Sequence, residues 1–180
     1  MNTLKPKTRF PNPTDLNEMT VSYLTDLINR VYDEAETGMW KPKVLRTTKS
    51  EVRKYLKCSQ LILTELNGTI VGSVLVQKQE DDVAEFGMLV CSPEHRGTGI
   101  GSNLVQAAEK WAKDNGCKTM RLELLTPRSW KNPSKEFLKD WYSRIGYKPR
   151  FTESLEKMYP EKVQELATDC DFTVWLKTLS

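Results

Sequence analysis

The apolar positions change period along the chain, and the changes predict its elements. Val21, Leu24, Leu27, Ile28 and Val31 recur every three or four residues, so a helix is expected over residues 20–36. Gly38 to Pro42 breaks it, and Ser50 can cap a short second helix bearing Val52, Tyr55 and Leu56. Leu61–Leu63 and Ile70–Val76 flank Asn67-Gly68, a strong hairpin turn signal. Phe86 to Cys91 is a continuous apolar run, read as a buried strand starting near residue 83. Ser92-Pro93 stops it, because proline has no N–H to give a ladder. Ile100, Leu104, Ala108 and Trp111 then return to helical spacing, and Asn115-Gly116 ends that helix.

Met120, Leu122 and Leu124 alternate with Thr119, Arg121 and Glu123, which predicts a strand over 118–125. A loop holding Trp130 follows. Ser134 is the expected cap of a helix bearing Phe137, Leu138, Trp141 and Ile145, which Gly146 ends. The tail reads as a strand over 150–154, a short helix over 160–166 and a strand over 172–179. Residues 1–19 are rich in Pro and Asn and are expected to be loosely structured, with a short strand at 7–10; the domain proper is expected over 20–180. Helices alternating with strands give an α/β domain with a mixed, mostly antiparallel sheet.

Composition narrows the function. The chain has 27 Lys and Arg against 24 Asp and Glu, a net charge of +3 that makes no case for nucleic acid. No apolar run reaches about 18 residues, so no membrane span is expected. The first residues lack the apolar core of a secretory signal, so a cytoplasmic location is the expectation. Cys58, Cys91, Cys117 and Cys170 form no C-x-x-C pair, and His95 is the sole histidine, so no metal site is expected.

The candidate chemistry lies between the central strand and its helix, in Arg96-Gly97-Thr98-Gly99-Ile100-Gly101-Ser102. Glycines let the backbone turn sharply and let a ligand approach it. The unpaired N–H groups of a helix start favour an anion, and Arg96 adds a fork of donors. The glycines alone fit a pyrophosphate cradle or a solvated turn equally well. A Walker loop would need Gly-Lys, and a dinucleotide loop would need G-x-G-x-x-G; neither is present.

Leu89-Val90-Cys91, Pro93 and Arg96 to Gly101 together resemble motif A of the GNAT N-acetyltransferase superfamily. Leu138 to Tyr147, with Tyr142 after Trp141, resembles its motif B. The resemblance covers roughly residues 20–178. It implies the GNAT-type sheet flanked by helices, acetyl-CoA as cosubstrate, and a coenzyme held by Leu89, Val90, Cys91, Arg96, Gly97, Thr98, Gly99, Ile100, Gly101 and Ser102. It implies Tyr142 as the acid beside the leaving sulfur, and a carboxylate base for which Glu85 is the first candidate and Glu123 the competitor; a free amine from solution could dispense with either. Many members have an asparagine seven residues before that tyrosine. Here the position is Lys135, with Asn132 ten before, and Lys135 is a candidate to reach a phosphate or close the groove. An acetyl-thioenzyme on Cys91 is the less favoured route, since the only histidine lies beyond the turn. The expected reaction is acetyl transfer to the amine of a small molecule by direct attack. A protein N-terminus or lysine is the alternative acceptor, and a non-catalytic acyl-CoA-binding module is the alternative outside enzymes. Trp40, Trp130 and Tyr159 are candidate walls of the acceptor pocket. Members of the family often form homodimers, with nothing here to locate an interface.

Overall fold

The computed structural model describes residues 5–180. Seven strands form one sheet: β1 (Lys7–Arg9), β2 (Leu61–Leu66), β3 (Thr69–Glu80), β4 (Val83–Cys91), β5 (Thr119–Pro127), β6 (Lys148–Ser154) and β7 (Cys170–Thr178). Their spatial order is β1-β2-β3-β4-β5-β7-β6. Every neighbouring pair is antiparallel except β4 with β5.

Helices α1 (Glu18–Ala35) and α2 (Lys49–Lys57) cover one face. Val21, Leu24 and Ile28 pack there with Leu61, Leu63 and Val90. Helix α3 (Ile100–Asp114) and α4 (Pro133–Arg144) cover the other face, where Leu104, Val105 and Ala108 meet Phe86, Met120 and Leu122. A one-turn helix, α5 (Leu155–Met158), and a 3-10 turn (Pro160–Glu165) stand where one short helix over 160–166 was expected.

Two caps differ from expectation. Helix α2 starts on Thr48, not Ser50, because Thr48 and Glu51 cap each other's backbone N–H groups reciprocally. Helix α4 starts on Asn132, not Ser134. Pro133 forces the residue before it into an extended backbone, which is the cap conformation, and the Asn132 side chain accepts from the Lys135 N–H. Residues 7–16 of the segment expected to be loose are tied down: β1 pairs with β2, and Arg9 bridges Asp15 and Glu65. Residues 1–4 of that segment lie outside the described residues.

Gly72 on β3 is where α3 presses hardest on the sheet. A Cβ there would sit 2.9 Å from both the Val90 carbonyl oxygen and Ile100 Cγ2. Gly72→Ala is therefore expected to destabilise the fold by about 1–3 kcal/mol, seen as a lower denaturation midpoint.

Strand β4 has one extra residue relative to β3. Ser73 faces Val90 and Leu75 faces Gly87, so Val74 opposes two residues. The bulge is at Met88, whose φ of 46° is left-handed. It moves the buried side chains from one face to the other: Ala84 and Phe86 lie in the α3 core, Met88 and Val90 in the α1 core. Pairing with β5 stops just before it. Only Val83, Ala84 and Glu85 pair with Thr119, Met120 and Arg121. Beyond that rung the two strands part.

Candidate active site

The parted strands enclose a cavity of about 100 Å³, lined by Leu89 of β4, Leu122–Leu125 of β5, and Lys135 and Tyr142 of α4. Tyr142 is buried among aromatic rings, with Phe86 and Tyr147 each 6.0 Å away and Trp141 at 5.1 Å, centre to centre. Its hydroxyl makes no side-chain hydrogen bond among the described residues. Burial, with a smaller contribution from Tyr32, pushes the phenol far above its ordinary pKa. It stays protonated at any working pH and can always donate.

The glycine loop lies between the end of β4 and the start of α3. Gly97 and Gly99 have φ of 76° and 85°, so their backbone, not crowding, demands glycine; a Cβ at either would meet nothing within 4 Å. The Asn103 N–H reaches back to the Gly99 carbonyl at 3.0 Å, opening the helical ladder. The N–H groups before it, on Ile100, Gly101 and Ser102, face out of the helix start. Trp141 of α4 lies 3.7 Å from where a Gly101 Cβ would be, so α4 buttresses the first turn of α3. Arg96 is exposed, with Nη2 3.6 Å from Glu34. Such a pair is weakly held and leaves the guanidinium free to swing onto an anion. This open cradle, and the unpaired strand edges leading from it to Tyr142, suit a coenzyme with a diphosphate at one end and an amide-bearing arm at the other.

Cys91 donates to the carbonyls of Ser92 and His95. Burial raises its thiol, with Arg96 pulling it down and Glu94 up, so it is a poor source of thiolate. His95 Nδ1 lies 2.7 Å from Ser92 Oγ and pins the turn rather than activating the thiol.

On the α1 face a larger cavity, about 570 Å³, is lined by Trp40, Arg46, Tyr55, Glu85, Glu123 and Tyr159 among others. Here the structure separates the two candidate bases. Glu123 is engaged by Arg121 and by the Tyr159 hydroxyl at 2.6 Å. Glu85 stands at the last β4–β5 rung, opposite Arg121. Its Oε2 is buried without a hydrogen-bond partner: Arg121 Nε is 3.3 Å away but poorly aligned. Burial first, and Glu123 second, push the Glu85 carboxyl up to about 7, against the pull of Arg121. A carboxylate poised near neutrality in a cavity wall suits proton abstraction.

Lys135, the candidate to reach a phosphate or close the groove, lies in the buried contact between α4 and the end of α1. Its Nζ is paired with Glu36 Oε1, both side chains being 4% exposed. Glu36 also accepts from Trp40 Nε1, and Asn132 Nδ2 donates to the Ala35 carbonyl. Together they fasten α4 to the end of α1. Removing one member of a buried pair leaves an uncompensated charge, so Lys135→Met is expected to cost about 3–5 kcal/mol of stability. Coenzyme affinity of the folded fraction should not change, which calorimetry would check.

Residues 25–139 match the Acetyltransferase (GNAT) family. The chain belongs to this GNAT family. A curated relative, UPF0039 protein C11D3.02c of Schizosaccharomyces pombe, is 25% identical over 105 residues, which is 58% of this chain. The match covers 65% of that relative's length. PaiA N-acetyltransferase from Thermoplasma acidophilum, solved with coenzyme A, is 18% identical with a TM-score of 0.71, over 97% of this chain and 99% of its own. An aminoglycoside 6'-N-acetyltransferase, also solved with coenzyme A, is 16% identical with the same TM-score, over 97% of each chain. At these identities the likeness is one of fold.

In this GNAT chain Tyr142 lines the small cleft and Glu85 the larger cavity. Of the three expected pocket walls, Trp40 and Tyr159 line the cavity, whereas Trp130 lies against Gly38 and Thr168. The sequence reading missed Glu36 and Arg46. Both lie in polar stretches with no period to single them out. Among the described residues no helix is long and apolar enough to cross a membrane, and no group of three His, Cys, Asp or Glu could hold a metal.

Proposed function

We propose that this protein transfers an acetyl group from acetyl-CoA to a primary amine of a small molecule, by direct attack on the thioester. The observation that supports this best is that the small cleft and the large cavity meet: Tyr32, Phe86, Gly87 and Glu123 line both. Tyr142 lies on the cleft side and Glu85 on the cavity side, so a thioester entering from one side faces an amine entering from the other.

The backbone N–H groups of Gly97 to Ser102 and the Arg96 fork hold the diphosphate. The unpaired edge of β4 from Leu89 to Cys91 takes the pantetheine arm as a strand takes a neighbour. Glu85 removes a proton from the ammonium, directly or through a water. Backbone N–H groups of β4 stabilise the oxyanion of the tetrahedral intermediate. Tyr142 donates to the sulfur as the thiolate leaves. Lys41, Pro42, Val44, Leu45 and Arg46, between α1 and α2, line the cavity and narrow it, which favours a small acceptor over a protein chain.

Coenzyme A release with a thiol dye, across polyamines, amino acids, aminoglycosides, arylamines and short peptides, is the test. Turnover of at least one small amine is expected. Turnover confined to peptides would move the acceptor to proteins. Tight acetyl-CoA binding without any turnover would favour a binding module.

A further inference from the structure

We propose that the acceptor is an α-amino acid with an apolar side chain, held by its carboxylate on Arg46 while its amino group faces Glu85. This rests on the acetyl-transfer reading above and goes further by naming the substrate class.

The inference comes from which charges in the cavity already have partners. Glu36 is satisfied by Lys135 and Trp40. Glu123 is satisfied by Arg121 and Tyr159. Of the charged groups that line both the cleft and the cavity, only Arg46 is left without an ion pair, and Glu85 lies on the cavity wall beside them. Glu85 has Arg121 Nε 3.3 Å from its buried Oε2, too poorly aligned for a hydrogen bond. Arg46, on the connection between α1 and α2, forms no ion pair with any described carboxylate. Its guanidinium carbon lies 4.5 Å above the Tyr32 ring centre, and the residue lines both the cavity and the cleft. Desolvation opposes its charge, yet surrounding groups, Glu36 and Glu123 among them, more than compensate, so it stays a cation.

A guanidinium suits a planar anion that can accept two parallel hydrogen bonds. A carboxylate in the cavity wall suits an ammonium. One molecule carrying both charges satisfies both. Their spacing sets a further limit. Arg46 lines both the cleft and the cavity, so it stands where the two meet, and the attacking amine must stand there too. Amine and anion therefore have to be close neighbours on the acceptor, as in an α-amino acid. A diamine would place its second cation against Arg46. Trp40, Leu75, Leu155 and Phe172 form the apolar part of walls that also carry polar groups such as Asp33 and Gln77, and this apolar part is left for the side chain.

The test uses the full chain with acetyl-CoA and three amino acids, L-leucine, L-methionine and L-phenylalanine, against their carboxamides and against putrescine. The acids are expected to exceed the amides by about a hundredfold in kcat/KM, since a site built for a polar group rejects an analogue lacking it. Arg46→Gln should remove most of that preference by raising KM for the acids far more than for the amides. Amides as good as acids, or putrescine as the better substrate, would overturn the proposal. So would an equal loss for acids and amides in Arg46→Gln, which would put Arg46 on the thioester instead. No turnover of any probe by protein that binds coenzyme A in calorimetry overturns this inference alone. Failure to bind coenzyme A overturns the acetyl-transfer reading as well.

Discussion

Tyr142→Phe is expected to lower kcat by about 10²–10⁴-fold, the usual worth of a positioned proton donor, while the dissociation constant for acetyl-CoA and the denaturation midpoint stay where they are. The three parts of this result have separate causes. The hydroxyl has no protein partner to lose, so folding does not notice its removal. The ring keeps its contacts with Phe86, Trp141 and Tyr147, so the cleft keeps its shape. Only the leaving sulfur loses something. A phenol held well above its usual pKa looks like a weak acid for a thiolate. The same dry surroundings, however, raise the pKa of a thiolate formed beside it, so the two stay closer than their values in water suggest. Burst and steady-state measurements of coenzyme A release would check it, and an unchanged kcat would remove Tyr142 from the chemistry.

Glu85→Gln is expected to do two opposite things. Activity should fall by about 10²-fold or more, and the rise of kcat/KM through about pH 7 should disappear, leaving only the ionisation of the amine. Stability above pH 7 should increase. In the unfolded chain a glutamate titrates near 4.3; in the folded chain Glu85 is pushed up to about 7. Between those values the unfolded state has already released its proton and the folded state has not. The unfolded state binds fewer protons, so stability falls as pH rises through this window, and is flat above it. Glutamine never ionises and escapes the loss. With the side chain 24% exposed and the shift discounted for solvent, the gain at pH 8 is about 2 kcal/mol. Urea midpoints of both proteins at pH 5 and pH 8 would show it as a difference that opens with pH. A variant equally destabilised at both would mean that Glu85 is structural and not poised for chemistry.

What could be read from the sequence was local. The glycine loop is legible because Gly97 and Gly99 need a left-handed backbone whatever surrounds them. The α3 stripe and the Asn67-Gly68 hairpin are legible for the same reason. The bulge at Met88 was not, because Phe86 to Val90 is apolar on both faces and a change of face leaves no mark in such a run. Nor could the chain tell Glu85 from Glu123. They differ only in who approaches them: Tyr159 comes from 36 residues further on, and it approaches only Glu123. The partner of Lys135 was hidden for the same cause. That partner, Glu36, is 99 residues away, and no spacing rule reaches that far. Arg46 reads as one more surface cation until the other charges around it are seen to be taken.

The short β4–β5 seam has a bearing on how long the protein survives without its ligand. Three paired residues join the two halves of the sheet, and past them two strand edges lie open in the middle of the molecule. Bare edges are where chains pair wrongly with one another. A pantetheine arm lying in the gap would act as the missing strand, shielding both edges. By mass action, ligand at about a hundred times its dissociation constant would add about 2.7 kcal/mol to the folded state. The cosubstrate would then also guard the protein against aggregation, and the amount of intact protein in a cell would follow the size of the acetyl-CoA pool.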